Sequence, residues 1–442
     1  MGSLGKLLIR FVAVVAALTA VALAGLVPGA QTLHAATTIT VDCTDDAAAL
    51  AGALASANDG DTLAIQGTCK GTFEIAHNLT LTGSGGATLD GQATDTVLTV
   101  DSGKTVVAAD LTVTDGFAIS GFPDGASGGG IYNFGGTLTL TNSTVSGNTG
   151  GGGIVNRATA TLTNSTVSGG SGGGIWNIGT LTLTNGTVSG NTAGFSPGNE
   201  NGGGLYNLGT LTVANSTISA NSAVSGGGVF AVLPATLVNT IVAGQTAGGN
   251  CVGGGLISDG GYNLEDGTSC GFSTTNNSLP NTNPLLNPAG LRNNGGPTQT
   301  IALRAGSSAI NAIPTGVNGC GATLTSDQRG VSRPQGPECD IGAFELLALP
   351  VAPSSLVATA LSRSQVGLVW VDNASTEAGF RIERSFDGSG SWRQFSTVAA
   401  NVTAFTHSRQ TPLTTYFYRA RATNEAGDST SSNVATATTL GW

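Results

Sequence analysis

The chain has 442 residues, of which 69 are Gly, one is Met and only 10% are charged, where about a quarter is usual for a globular protein. A hydrophobic share of 40% leaves enough apolar surface to bury, which argues against a disordered chain. The net charge of −10 excludes nucleic acid as a partner, because neutralising phosphates needs clustered Lys and Arg.

The chain opens with Lys6 and Arg10, then FVAVVAALTAVALAGLV and PGAQTLHA, with no acidic residue before Asp42. This is the pattern of an export signal over residues 1–35, with cleavage near Ala30 or Ala35; an uncleaved anchor is the competing reading. No later apolar stretch is long enough to span a bilayer, so a secreted or cell-surface location is expected. Without residues 1–35 the chain carries 14 basic and 26 acidic side chains, a net of −12. The charge is uneven: residues 36–346 hold 20 acidic and 7 basic side chains, residues 350–442 only 6 and 7. Two different parts are therefore expected.

After the signal, DDAAALAGALASANDGDTLAIQG predicts a short amphipathic helix and a first strand. NLTLTGSGGATLDG and GKTVVAADLTVTDG predict early coils of a repeat. Asp90, Asp95, Asp101, Asp110, Asp115 and Asp124 fall in this region. They read as solvated turn carboxylates, with a calcium site as the alternative if they converge. No other cofactor is expected.

From Gly128 one phrase recurs: GGGIYNFGGTLTLTNSTVSGNT, then copies from Gly151, Gly172, Gly202 and Gly226. The markers Asn142, Asn164, Asn185, Asn215 and Asn239 stand 22, 21, 30 and 24 residues apart, the long step being explained by the insertion AGFSPGNEN. A period of about 20–25 residues built from short strands is the signature of a solenoid coil. Within each copy Leu138, Leu140 and Val145 alternate with Thr139, Thr141 and Thr144, a period of two that means strand. Stacked about 4.8 Å apart, the aliphatics form a dry column, each worth roughly 1.5–3 kcal/mol. The glycines make the corners. The marker Asn residues sit at one corner and are expected to bond to one another as a ladder. Four of them also begin N-x-S/T triplets, which leaves glycosylation as the alternative.

Cys43, Cys69, Cys251, Cys270, Cys320 and Cys339 flank the repeat tract, and the neighbour pairs 43–69, 251–270 and 320–339 are expected as disulfides, each contributing about 3 kcal/mol. None lies in a CxxC, which speaks against a metal.

This pattern resembles the right-handed parallel β-helix of the pectin-lyase-like class over residues 36–250. Downstream, NNGGPTQTIALRAGSSAINA, DQRGVSRPQG and CDIGAFE are similar to the terminal segment of exported bacterial choice-of-anchor Q domain proteins, here over about residues 251–346. Asp327, Arg329, Arg333, Asp340 and Glu345 are read as an ion-paired closing cap. After a linker at 347–352, QVGLVWVDN, GFRIERS, AFTHSRQ and TTYFYRARATNEAG resemble a fibronectin type III sandwich over residues 353–442. Trp370 is its expected core tryptophan and Tyr416 its tyrosine corner. The expected fold is all-β, a right-handed parallel β-helix solenoid followed by a fibronectin type III sandwich.

Enzymes on β-helices need carboxylates beside a base, or two carboxylates across a glycosidic bond. Between residues 126 and 258 the only charged side chains are Arg157 and Glu200, and no His lies between His77 and His407. The chain is therefore read as a non-enzymatic structural or surface-interaction protein, adhesin-like and glycan-binding, and as a monomer. The alternative is a polysaccharide lyase or glycoside hydrolase with its site at Asp110, Asp115 and Asp124 or in the loop at 195–201. A third reading is ice binding by outward files of Thr139, Thr161, Thr182, Thr212 and Thr236 beside Thr141, Thr163 and Thr184.

Overall fold

The computed structural model describes residues 35–118, 128–194 and 200–441. The signal sequence, Asp124 and most of the loop at 195–201 lie outside these residues.

Each repeat is one coil of three strands, as in Ile131–Asn133, Thr137–Thr141 and Thr144–Ser146. The first of these joins an eight-stranded parallel sheet, while the other two belong to a 17-stranded sheet. Pairing is parallel and in register: Leu138 stands beside Ala160, then Leu181, Leu211 and Ala235. Inward aliphatics such as Ile131, Leu138, Leu140 and Val145 are fully buried, which yields the dry column that the alternation predicts. The helix Ala49–Ser56 packs on the first coil through Leu50, Ala53 and Leu54 and covers apolar surface that has no preceding coil.

Corners need left-handed backbone. Asn142, Asn164, Asn185, Asn215 and Asn239 all sit there with φ near 50°, and Asp110 takes the same corner one coil earlier. Their bonding differs from the expected continuous ladder. Asn164 Nδ2 donates to Asn142 Oδ1 (3.2 Å) and Asn239 Nδ2 to Asn215 Oδ1 (2.8 Å), but Asn185 Nδ2 donates to the carbonyl of Ser326 instead. The regular ladder lies inside the coil. Asn133 Nδ2 donates to Asn156 Oδ1 (2.8 Å), Asn156 to Asn177 (2.9 Å) and Asn177 to Asn207 (2.8 Å). All four side chains are buried and also serve corner carbonyls such as those of Thr159, Thr180 and Thr210. Sequence reasoning missed this ladder.

Residues 292–345 do more than close the last coil. They run back along the flank formed by Thr144–Ser146 and its stacked equivalents. Thr298 Oγ1 donates to the Asn164 carbonyl, and Gln328 Nε2 to Thr166 Oγ1 and Thr298 Oγ1. Thr187 Oγ1 donates to Gln328 Oε1, while Ala343 N donates to Thr217 Oγ1. This strap buries Thr166, Thr187 and Thr217, which period-two alternation alone leaves in solvent.

The cysteines are bonded 43–69, 251–270 and 320–339. Three disulfides with no free cysteine point to an oxidising, extracellular compartment. Among the described residues no helix is long and apolar enough to cross a membrane.

The C-terminal part is an antiparallel sandwich. One sheet holds Ser354–Ser362, Gln365–Val371 and Ala404–Ser408; the other is built on Gly379–Ser385, Arg393–Ala399 and Thr415–Asn424. Trp370, Phe380, Ile382 and Tyr418 fill its core, and Tyr416 Oη accepts from Thr411 N at 3.0 Å.

Candidate functional site

The early carboxylates are spread over separate turns. Asp110 and Asp115 occupy two different corners with φ of 57° and 53°. Asp110 lines a cavity of about 350 Å³ with Gly83–Gly86, Asn142 and Pro297, whereas Asp95 lines a different one. Among the described residues no group of three or more His, Cys, Asp or Glu is placed to hold a metal ion. Asp110 and Asp115 thus stand on separate turns, and Asp124 lies outside the described residues.

The cap residues do come together. Arg329 pairs with Asp327 (2.8 Å) and with Glu425 of the sandwich (3.1 Å), and its guanidinium lies 3.6 Å from the Phe344 ring centroid. Arg333 pairs with Glu345 (3.1 Å) and donates to the carbonyls of Asp340 and Gly342. Burial, followed by the nearby Glu345 charge, pushes the Asp340 carboxyl up to about 7, and burial raises Glu345 as well. These pairs close the strap on itself, and the Arg329–Glu425 pair ties the sandwich to it.

Threonine files run up the long-strand face. Thr137, Thr159, Thr180 and Thr210 are in register, as are Thr139, Thr161, Thr182, Thr212 and Thr236. The third file, Thr141, Thr163 and Thr184, passes into Ala214 and Val238.

The eight-stranded sheet has a different exterior. Its middle residues alternate outward and fall in one column: Glu74, Thr99, Tyr132, Val155, Trp176, Tyr206, Phe230 and Val252. Trp176 and Tyr206 have ring centroids 5.4 Å apart, and Tyr206 and Phe230 5.3 Å. Val155 and Trp176 are buried, with Tyr132, Ile178 and Tyr206 packed around them. Tyr206 and Phe230 stay half-exposed, next to Val232, Leu233, Val252 and Leu256, which are exposed. Partial burial pushes the Tyr206 phenol up. A contiguous apolar and aromatic surface rimmed by polar turns is the form of a binding face. The signal for it was in the sequence: the residue after the inward aliphatic of the five copies is Tyr132, Val155, Trp176, Tyr206 and Phe230, followed by Asn in four copies and by Ala231 in the last.

At the early-coil end of this column lies a cavity of about 430 Å³, walled by Phe73, Glu74, Asp95, Thr96, Thr99 and Tyr132.

No protein-family model matches the chain, and no curated protein matches it. Solved structures similar to part of it include domains from titin, with 21% identity, 23% of this chain and 35% of that one covered, and a TM-score of 0.21. A fibronectin-type-III-like protein from Clostridium thermocellum is 21% identical over 22% of this chain and 98% of its own, with a TM-score of 0.19. A β-1,2-glucanase from Parabacteroides distasonis is 22% identical over 23% of this chain and 15% of its own, at a TM-score of 0.20. The chain thus spans about a third of the titin fragment it matches. Parallel in-register coils and the separate antiparallel sheets decide the fold. It is a parallel β-helix followed by a fibronectin-type-III-like sandwich.

Proposed function

We propose that this is an exported, non-enzymatic surface protein of the choice-of-anchor Q type, which binds extracellular glycan along the aromatic column of its β-helix. It acts as a monomer, without nucleic acid or a resident cofactor, and the sandwich serves as a spacer. One observation carries the reading: Tyr206 and Phe230 are half-exposed on adjacent coils of one outward column, with ring centroids 5.3 Å apart, and Tyr132 stands in the same column. Flat apolar faces with a polar tip hold a sugar ring by its C–H face while leaving its hydroxyls wet. Affinity electrophoresis in gels of neutral, amino and uronic polysaccharides tests this, with reducing ends assayed in parallel. Retardation by a glycan without chain cleavage is expected. Release of reducing ends replaces the reading with the lyase or hydrolase alternative, and no retardation by any glycan refutes it.

A second reading rests on the three in-register threonine files, which form a regular hydroxyl lattice. Thermal hysteresis that disappears in Thr182→Val/Thr212→Val is its test.

A further inference from the structure

The cavity at the early end of the aromatic column is chemically unlike the rest of that column. Glu74 and Asp95 are exposed carboxylates on its rim, and Phe73 and Thr96 are buried beneath them. Thr96 is only 6% exposed, and its Oγ1 has no hydrogen-bond partner. A buried hydroxyl left alone costs about 1–3 kcal/mol relative to a satisfied one, so a donor that reaches this atom from the cavity removes that cost. Tyr132 lines one side, and among the described residues no basic side chain lines the walls.

The geometry points to a subsite for the ammonium group of an amino sugar, a hexosamine unit carrying a free amine within a longer glycan. This inference rests on the glycan-binding reading and names its ligand class. An ammonium brings three N–H donors, and the cavity offers two carboxylates and the Thr96 oxygen to accept them. Hydrogen bonds between charged partners are roughly twice as strong as neutral ones, and the face of Tyr132 adds cation–π attraction. The ring of the same residue continues onto Tyr132 and the column beyond. Uronic acids are excluded, because a third carboxylate meets two others with no cation to offset them. Calcium needs six or more oxygens, and two carboxylates with a few hydroxyls fall short of that set.

Isothermal titration of the full chain with glucosamine oligomers, with fully N-acetylated oligomers of the same length, and with calcium chloride alone tests the subsite. The free-amine oligomer is expected to bind at least about tenfold more tightly than the acetylated one. That preference vanishes in Glu74→Gln/Asp95→Asn, and Thr96→Val, which keeps both charges, weakens the free-amine complex about threefold. Equal affinity for the two oligomers, or a preference that survives the double substitution, overturns the subsite; so does calcium binding that the double substitution removes. If acetylated oligomers bind and Tyr206→Ala/Phe230→Ala abolishes this without any amine preference, only the subsite falls. If neither oligomer binds, the subsite falls, and the glycan-binding reading falls only when no polysaccharide retards the protein in the gels.

Discussion

Replacing Asn177 by Ala tests which asparagine ladder holds the coils together. The buried Asn177 amide accepts from Asn156 Nδ2 at 2.9 Å and donates to Asn207 Oδ1 and to the Thr210 carbonyl, both at 2.8 Å. Three hydrogen bonds at about 1 kcal/mol each give a loss of about 3 kcal/mol. Asn142→Ala removes one side-chain bond of 3.2 Å and replaces a residue that tolerates the left-handed region by one that does not, at φ 51°, for a loss of about 1–2 kcal/mol. Stability in a solenoid is local, so hydrogen exchange read by mass spectrometry is the suitable assay. For peptides spanning 175–214, Asn177→Ala should speed exchange about a hundredfold, since each 1.4 kcal/mol is tenfold. Asn142→Ala should speed its own coil about tenfold. Equal effects, or a larger effect at Asn142, refute the argument that the inner ladder dominates.

Three further outcomes are expected. Ala220 has φ 59° in a corner column that begins with Asp115 and otherwise holds Gly147, Gly169, Gly190 and Gly244, so Ala220→Gly should raise stability by about 0.5–1 kcal/mol, read from the urea midpoint. Gln328→Ala removes the bonds to Thr166, Thr187 and Thr298; it should cost the strap about 3 kcal/mol and expose residues 293–345 to limited proteolysis. In the cap cluster, burial lifts the Asp340 carboxyl from 3.8 to about 7. A raised folded value means that the folded state binds the extra proton, so this contribution is complete below pH 3.8 and lost as pH rises through about 7. Melting temperature should therefore fall from pH 4 to pH 7 in the native chain, and Asp340→Asn should flatten that slope.

The solenoid was legible because its period and its alternation agree: Leu138, Leu140 and Val145 recur with fixed spacing, and each recurs inward. The corner asparagines were legible for the same reason. The inner ladder was not, since a three-residue strand such as Ile154–Asn156 has too few positions for alternation to show. Its parity with Ile154 was the available clue, and the same parity places Val155 outward. The strap was illegible in a stricter sense. Gln328 meets Thr166 across 162 residues of sequence, and no periodicity links segments that far apart. The early aspartates look like a cluster along the chain, yet Asp110 and Asp115 serve separate corners.

The aromatic column is the proposed ligand-bearing face. Titration of a retarding glycan into the native chain, Tyr206→Ala/Phe230→Ala and Thr182→Val/Thr212→Val measures it directly. Binding at least tenfold weaker in the aromatic variant and unchanged in the threonine variant is the predicted result. Unchanged affinity in the aromatic variant, with weakened binding in the threonine variant, contradicts it.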